Sequence, residues 1–269
     1  SRVQHLCSFT VRLGWRNQYV GLERLELDGV TVYLIDNEFY FGGRIYLGGD
    51  AEGEQYAFFQ RAVLEALPLL DFHPQVLHCN DWHTAMLPML IKTQYQGLPQ
   101  GRLTTLLTIH NLAYQGVFSF GFVQDLLGVD ARWYTPAYLE CNGAANFLKA
   151  GCVFADRLST VSPNYAREIL TPAFGEGLEG VLSTRSHEMC GILNGLDTVE
   201  FDPARDPALP AHFCADEPSG KAQCRRALCA QLGLDDTRDR PLIAMVTRMT
   251  RQKGFSLIGE TIDAILAQD

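Results

Sequence analysis

The sequence predicts an α/β fold built on a parallel β-sheet. Short apolar runs, typical of buried strands, alternate along the chain with segments of helical spacing, and this order favours a parallel sheet. Polar residues follow almost every one of these runs. Ligands bind beyond the carboxyl ends of the strands in such sheets, so the pattern also predicts where a binding site lies.

The elements of the first half can be justified in order. Residues 1–36 alternate apolar and polar side chains around glycines, which predicts strands over 5–13 and 29–35 joined by a turn. Apolar residues then share one helical face over 56–70, and Pro68 marks the end of that helix. A short strand is predicted over 75–78.

The alternation continues to residue 196. The further predicted elements are helices over 84–96, 144–153 and 178–183 and strands over 103–109, 157–161 and 191–193. Ser162 and Pro163 have the residue types of an N-cap and a first helical position, so another helix is expected to begin there. The last strand is followed by Asn194-Gly195.

The final part of the chain has a different composition. Residues 202–220 contain four prolines among acidic and small residues, which is typical of a linker or a surface segment. A helix over 221–232, a strand over 242–246 and a helix over 255–266 follow. We therefore expect one α/β domain over 1–200, and over 201–269 a linker and the beginning of a second domain.

Composition excludes some classes of partner. The chain has 269 residues, 47% of them hydrophobic, with a net charge of −9. Such an acidic chain has no basic stripe to neutralise phosphates, so we expect neither nucleic acid nor a membrane as a partner. No apolar run approaches the roughly 18 residues of a membrane span.

The eight cysteines form no Cys-x-x-Cys pair and have irregular spacing. Such thiols indicate a reducing compartment, either the bacterial cytoplasm or, in a plant, the plastid. The cluster of His78, Cys79, Asp81 and His83 fits no zinc spacing. We expect no metal and no cofactor.

The polar residues that follow the strands belong to one predicted edge of the sheet. They are Asn80, Asp81, His83, His110, Asn111, Ser162, Asn194, Arg248, Arg251 and Lys253. Facing domains would bring Arg248 and Lys253 across a cleft toward the others, the arrangement of a two-domain enzyme. An Arg and a Lys in a cleft suit a diphosphate and stabilise its departure electrostatically.

Each of these residues has a simpler interpretation. Spacing alone favours Asp81 as a helix N-cap, and His110 is equally a structural histidine or a ligand contact. Arg248 and Lys253 fit a solvated helix start, although cations near a helix N-terminus are unfavourable and so favour a bound anion there. The run 175–180 matches Gly-x-Gly-x-x-Gly, but no strand precedes it, so we interpret it as a turn and reject NAD binding.

Several blocks of the chain, in order, resemble the bacterial glycogen synthase and plant starch synthase family. The most specific is Thr108-Ile109-His110-Asn111-Leu112-Ala113-Tyr114-Gln115-Gly116. The other blocks are 13–16, 35–38, 78–84, 148–151, 160–166, 175–180, 191–197, and Arg248 with 252–254. The resemblance implies a GT-B architecture, with two Rossmann-like domains around a deep cleft. It also implies transfer of glucose from ADP-glucose to the non-reducing end of an α-1,4-glucan, with retained anomeric configuration and no metal.

The resemblance also implies roles for individual residues. His110 is expected beside the transferred glucose, where it helps to stabilise the developing positive charge. Asp81 and Asn194 are expected near the same sugar. The remaining implied assignments are Tyr46 and Asn111 to the sugar pocket and Arg248 and Lys253 to the diphosphate.

Two family features are absent from the sequence. They are the Lys-x-Gly-Gly loop early in the first domain and the Glu-containing motif late in the second. We therefore expect an internal fragment with little or no transferase activity by itself. Two alternatives stay open: a non-catalytic glucan-binding α/β module, and a related GT-B enzyme that uses UDP-glucose.

Overall fold

A computed structural model describes residues 2–235 and 241–268 of the chain. It divides into two compact units, Ser1–Asn194 and Gly195–Asp269. The strands are β1 (Gln4–Leu13), β2 (Arg16–Leu27), β3 (Val30–Asp36), β4 (Val76–Asn80), β5 (Thr104–Ile109), β6 (Val117–Phe118), β7 (Glu140–Cys141), β8 (Ala144–Asn146), β9 (Arg157–Thr160) and β10 (Met189–Gly191). The helices are α1 (Glu38–Phe41), α2 (Gly49–Ala66), α3 (Met86–Gln94), α4 (Phe120–Leu127), α5 (Phe147–Phe154), α6 (Tyr165–Glu168), α7 (Glu179–Thr184), α8 (Gly220–Leu232) and α9 (Phe255–Leu266).

A four-stranded parallel sheet, ordered β10-β9-β5-β4, forms the centre of the first unit. The α/β fold predicted from the sequence is therefore confirmed. β5 lies inside the sheet, and its apolar residues Leu107 and Ile109 are fully buried. The last strand spans Met189–Gly191 rather than 191–193, because its ladder with β9 pairs Met189 with Leu158 and ends at Gly191.

The first 36 residues fold into an antiparallel sheet of three strands, in the order β1-β2-β3. The sequence predicted only the outer two, although β2 pairs along its length with both neighbours. Its buried side, which includes Val20 and Leu22, completes the apolar face that Val11 and Leu13 begin on β1. β2 was missed because polar residues occupy most of its other positions.

A small antiparallel sheet, ordered β6-β8-β7, packs beside the central sheet. The predicted helix over 144–153 is wrong at its start, because its first three residues form β8. Asn146 ends that strand and caps α5, since its side-chain oxygen accepts from the backbone N–H of Lys149 at 2.9 Å. A capping asparagine separates the two elements in a stretch that is apolar throughout.

Helices α2, α3 and α5 supply most of the core on one side of the parallel sheet. Phe58, Met86 and Phe147 are fully buried there. Gly151 allows α5 to approach closely, because a Cβ at this position would lie 2.7 Å from the carbonyl oxygen of Ala85. α2 begins at Gly49, well before the predicted start at residue 56, and ends where Pro68 predicted.

The second unit contains α8 and α9, close to their predicted bounds. The predicted strand over 242–246 is not formed. A strand needs a hydrogen-bonded neighbour, and in the described residues none pairs with this segment, so Ile243 and Val246 remain 75% and 99% exposed. Across the described residues, every helix is too short or too polar to cross a membrane.

Candidate functional site

The carboxyl edge of the parallel sheet gathers several of the predicted site residues. Asp81 follows β4, His110 and Asn111 follow β5, and Ser162 follows β9. Asn194 lies three residues beyond β10, which is separated from β5 by one strand, a spacing of roughly 10 Å. The predicted edge residues of the first unit thus follow the carboxyl ends of these strands, whereas Arg248 and Lys253 belong to the second unit.

Asp81 has a strained backbone, and its side chain binds the loop that follows β5. Its φ of 55° is in the left-handed region, which is rare for a residue other than glycine. Its Oδ1 accepts from the backbone N–H of His110 at 2.7 Å and from that of Asn111 at 3.4 Å. Asp81 occupies the N-cap position of the short helix that follows, as its spacing predicted, but its side chain makes no cap bond to that helix.

The His110 ring is held by a residue that sequence analysis left without a role. His110 Nε2 lies 2.9 Å from Asn80 Oδ1, so this nitrogen carries a proton and donates it. Asn80 is itself fixed, because its backbone N–H donates to Thr84 Oγ1 at 2.6 Å and its carbonyl accepts from the same hydroxyl at 2.9 Å. The ring therefore has a defined orientation while remaining exposed.

The loop after His110 is tied to neighbouring elements. The Asn111 side chain accepts from the Ala113 N–H at 3.1 Å, which folds the loop back on itself. The Leu112 N–H donates to the Tyr165 hydroxyl at 3.2 Å. Burial raises the pKa of Tyr165, while this backbone bond acts in the opposite direction. Asn111 thus shapes the loop, whichever ligand the loop holds.

An aromatic and acidic cluster adjoins Asp81. His83 packs edge-on against Tyr56 with ring centroids 4.4 Å apart, and burial lowers its pKa although Asp81 and Glu52 act to raise it. Burial also raises the pKa of Tyr56, with smaller contributions from Glu52 and Tyr46. The predicted Tyr46 is therefore near this cluster, in an exposed loop before α2. A largely neutral His83 can donate or accept a hydrogen bond.

A groove of about 400 Å³ runs along the motif that follows β5. Its lining residues combine aromatic, amide and carboxylate groups: Gly49, Glu52, Trp82, Ala113, Tyr114, Gln115, Gly116, Val117 and Phe118. Gly116 is required by its φ of 63° and by contact, because a Cβ there would lie 2.3 Å from the Trp82 ring. Residues 113–118, which follow His110 in the chain, thus form one wall of the groove.

Gln115 links this wall to the Gly-rich run 175–180. Its amide donates to the carbonyl of Glu176 at 3.0 Å and its oxygen accepts from Asn146 at 2.6 Å. The run is a turn that leads into α7, as predicted, and its contact with Gln115 holds the motif that follows β5. Gly175 is buried in this turn.

Two arrangements considered from the sequence can be checked geometrically. Within residues 2–235 and 241–268, no group of three His, Cys, Asp or Glu side chains is placed to hold a metal ion. His78 instead lies 2.6 Å from the Thr108 hydroxyl through its Nε2. Arg248 and Lys253 are exposed in the second unit, Lys253 two residues before α9. Their place beside the residues of the first unit stays a prediction.

Sequence reasoning placed Asn80 at this edge, next to Asp81, but gave it no role, and it missed Tyr56 and Glu52 as members of the site. These two lie inside α2, where their spacing resembles that of ordinary helical residues. Only the packing of α2 against the segment after β4 reveals them.

Three comparisons with known proteins agree with one another. A family model described as starch synthase catalytic domain matches residues 1–184. Glycogen synthase from Streptococcus equi subsp. zooepidemicus (strain H70) is 46% identical over 270 residues, covering 100% of this chain and 56% of that protein. Glycogen synthase from Geobacillus thermodenitrificans (strain NG80-2) is 44% identical over 269 residues, with the same coverage. The chain thus spans little more than half the length of these relatives.

A solved structure gives the same result. The catalytic domain of starch synthase IV from Arabidopsis thaliana, bound to ADP and acarbose, matches with a TM-score of 0.87 and 31% sequence identity. The match covers 98% of this chain and 55% of that one.

Proposed function

Because this chain belongs to the family of starch synthase catalytic domains, we propose that it forms the acceptor-side part of a glucan synthase. The reaction is transfer of glucose from ADP-glucose to the non-reducing end of an α-1,4-glucan, with retention at the anomeric carbon. The ADP in the similar starch synthase structure supports the adenine nucleotide. A bacterial cytoplasmic setting fits the bacterial relatives and the free cysteines.

The observation that carries this proposal is the arrangement of Asp81 and His110. The carboxylate of Asp81 accepts from the backbone of His110, and the ring of His110 is oriented by Asn80. Both groups are therefore preorganised at the exposed carboxyl edge, where a sugar can approach. A fixed carboxylate near a sugar that gains positive charge stabilises the transition state without reorganisation.

The groove beside Trp82 is suited to the acceptor. Tyr114 offers exposed aromatic surface, and Glu52 and Gln115 offer groups that bond to hydroxyls. Glucose units have apolar faces and polar rims, so this combination fits the end of a glucan chain. We assign the groove to the acceptor, with its reactive end toward His110.

We assign binding of the diphosphate to residues of the second unit. Arg248 and Lys253 are exposed cations, and Lys253 precedes the N-terminus of the twelve-residue helix α9. A helix N-terminus attracts anions through its free N–H groups. Asn194 completes the assignment as a sugar-binding residue, together with Asn111 and Tyr46. No metal is needed in this scheme, since two cations neutralise the leaving nucleotide.

The test is glucose incorporation into glycogen by the protein expressed from its complete coding sequence. ADP-glucose and UDP-glucose compete as donors in the same assay, and preference for ADP-glucose is expected. Arg248→Ala, Lys253→Ala and His110→Ala are each expected to lower turnover by roughly 100-fold or more. Arg226→Ala, which removes an exposed cation from α8 in the same unit, is the matched control.

Two results would contradict the proposal. Unchanged kinetics in Arg248→Ala and Lys253→Ala would remove those residues from the mechanism. Glucan binding without any transfer would favour a binding module instead. We also expect the 269-residue chain alone to be inactive, and incorporation by that chain would contradict this part.

A further inference from the structure

Four polar side chains form a hydrogen-bonded chain on the antiparallel sheet β1-β2-β3, and we call this group the Ser8 relay. His5 Nδ1 lies 2.7 Å from Glu23 Oε1, and His5 Nε2 lies 3.2 Å from Ser8 Oγ. The Tyr19 hydroxyl lies 3.0 Å from the same serine oxygen. This sheet is distinct from the parallel sheet whose carboxyl edge carries His110. The relay therefore lies outside the site assigned to glucose transfer.

A β-bulge at Leu6 places His5 and Ser8 on the same face of β1. Side chains three residues apart in a regular strand point to opposite faces of the sheet. Here the ladder with β2 passes from His5 directly to Cys7, so Leu6 is an extra residue in β1. One extra residue reverses the alternation and brings the His5 ring to Ser8. Bulges of this kind are frequent beside active sites, because they re-aim a side chain.

Gly21 makes room for the Tyr19 hydroxyl beside Ser8. Gly21 pairs with Ser8 across the ladder between β1 and β2. A Cβ at Gly21 would lie 3.1 Å from the Tyr19 hydroxyl oxygen and 3.2 Å from Asp36 Oδ2, which is closer than ordinary van der Waals contact. Because glycine has no Cβ, the phenol can lie across the strand and reach the serine.

The direction of each hydrogen bond in the relay follows from the chemistry of its groups. A carboxylate only accepts, so the Nδ1–H of His5 donates to Glu23. The neutral His5 ring then has its lone pair on Nε2, and this nitrogen accepts from the Ser8 hydroxyl. Ser8 Oγ in turn accepts from the Tyr19 hydroxyl. A base that can take the serine proton, oriented by a carboxylate, is the arrangement that activates a serine nucleophile.

The nucleophile and the base of the relay are open to solvent. The His5 side chain is 52% exposed and that of Glu23 only 17%, so the carboxylate that orients the ring is shielded while the ring is accessible. Ser8 is exposed as well, and Tyr19 is 49% exposed. The open face of a sheet contacts few atoms of a ligand, whereas a concave pocket surrounds it. Small acyl groups therefore suit this position better than long ones.

We propose that Ser8 is the nucleophile of a second, hydrolytic site that cleaves short-chain carboxylic esters. Ser8 Oγ forms a bond to the ester carbonyl carbon, and His5 Nε2 takes its proton. The Tyr19 hydroxyl, beside the nucleophile, donates to the oxyanion that forms. The bond to the alkoxy oxygen then breaks, and the leaving alcohol takes the proton from His5. Water, activated by His5, hydrolyses the acyl-serine and releases the carboxylic acid.

A fluorophosphonate probe tests the nucleophile in the protein expressed from its complete coding sequence. Ser8 displaces fluoride from phosphorus and keeps the phosphonate, which peptide mass spectrometry locates. Ser8→Ala should remove this adduct. His5→Gln should slow its formation roughly 100-fold, because the general base is lost. Ser186→Ala, at an exposed serine of the same unit, is the matched control and should leave the labelling of Ser8 unchanged.

Hydrolysis of p-nitrophenyl acetate measures turnover and tests Glu23 as a positioning residue. The parent should hydrolyse this ester faster than Ser8→Ala does. Glu23→Gln should slow both labelling and hydrolysis about tenfold, because the bond that orients the His5 ring is weakened. Glu23→Asp keeps a carboxylate and should restore part of both rates. The melting temperature of each variant checks that the fold persists.

Three results would overturn the hydrolytic site. The first is the absence of an adduct at Ser8 in the parent protein. The second is adduct formation in His5→Gln at the rate of the parent. The third is an adduct at Ser8 with no more ester hydrolysis than Ser8→Ala shows. Neither measurement involves glucose transfer, so failure of the proposed function would leave this test intact.

Discussion

Two aspartates tie strands together at opposite edges of the parallel sheet, and their surroundings differ. Asp156 precedes β9, and its carboxylate accepts from the Thr105 N–H at 2.7 Å, the Thr105 hydroxyl at 2.8 Å and Lys92 Nζ at 2.7 Å. Asp81 follows β4 and accepts from the His110 N–H at 2.7 Å. One carboxylate is neutralised by a lysine. In the described residues, the other forms no ion pair with a lysine or arginine.

The backbone makes the same distinction. Asp81 has a φ of 55°, and Asp156 is not among the residues with positive φ in the described chain. A strained conformation of this kind costs about 1–3 kcal/mol and persists only where the surroundings impose it. The amino edge thus uses a relaxed, paired aspartate to hold the fold. The carboxyl edge keeps a strained one that orients His110.

The largest expected effect separates the two aspartates by activity. Asp81→Asn keeps an oxygen that accepts from the His110 backbone but removes the charge, so the fold should persist while kcat falls roughly 100-fold or more. Asp156→Asn should leave kcat within about twofold, because this residue is remote from the edge that binds ligands. Initial rates of glucose incorporation and the melting temperature are measured for both variants of the protein expressed from its complete coding sequence. An Asp81→Asn protein with unchanged kcat would contradict the catalytic role that distinguishes Asp81 from Asp156.

A smaller effect is expected from the residue that orients the His110 ring. Asn80→Ala removes the hydrogen bond to Nε2, and one such bond is worth about a tenfold change in kcat. Asn80→Asp keeps an acceptor and should restore much of the rate, with a pH profile displaced upward because the new carboxylate favours the protonated ring. Asn17→Ala, an exposed asparagine on β2, is the control. A flat response to Asn80→Ala would show that the ring needs no support.

The fold was largely predictable where local patterns are strong. The apolar runs of β4, β5 and β9 and the helical faces of α2 and α3 appear in the sequence as they do in the structure, because burial imposes their periodicity. The errors occur where hydrogen bonding to a neighbouring strand decides whether a segment is a strand. β2 is a strand because it has partners on both sides, and residues 242–246 are not a strand because the described chain pairs nothing with them.

The location of the site at the carboxyl ends of the strands was predictable from the sequence, but the hydrogen bonds within the site were not. Strand order placed Asp81, His110 and Asn194 at the same ends of parallel strands. The bonds of Asp81 to the loop after β5 and of Asn80 to the His110 ring depend on the register that pairs Asn80 with Thr108. A pairing between residues so far apart in sequence leaves no periodic trace. For that reason Asp81 resembled a helix cap and Asn80 had no assigned role.

Asp156→Ala should lower the stability of the fold and have little effect on activity. The carboxylate makes bonds to charged and backbone donors, worth about 1–2 kcal/mol after allowance for its partial exposure. The melting temperature should fall by about 4 °C in a chain of this size. Lys92→Met removes the same ion pair from the other side and should have a smaller effect, because the Thr105 bonds remain. An unchanged melting temperature in Asp156→Ala would show that Asp156 does not stabilise the fold at the amino edge.

The smallest effect is the pH dependence of that contribution. Burial acts to raise the pKa of Asp156, but the bonds from Lys92 and Thr105 outweigh it and hold the pKa below the ordinary 3.8. A carboxylate with a lowered folded-state pKa stabilises the fold fully above its unfolded value and loses that contribution as the pH falls through the folded one. The difference in free energy of unfolding between the parent and Asp156→Asn should therefore be constant above about pH 5 and shrink below pH 3.8. Urea unfolding of both proteins at several pH values measures it, and a difference that grows on acidification would contradict the assignment.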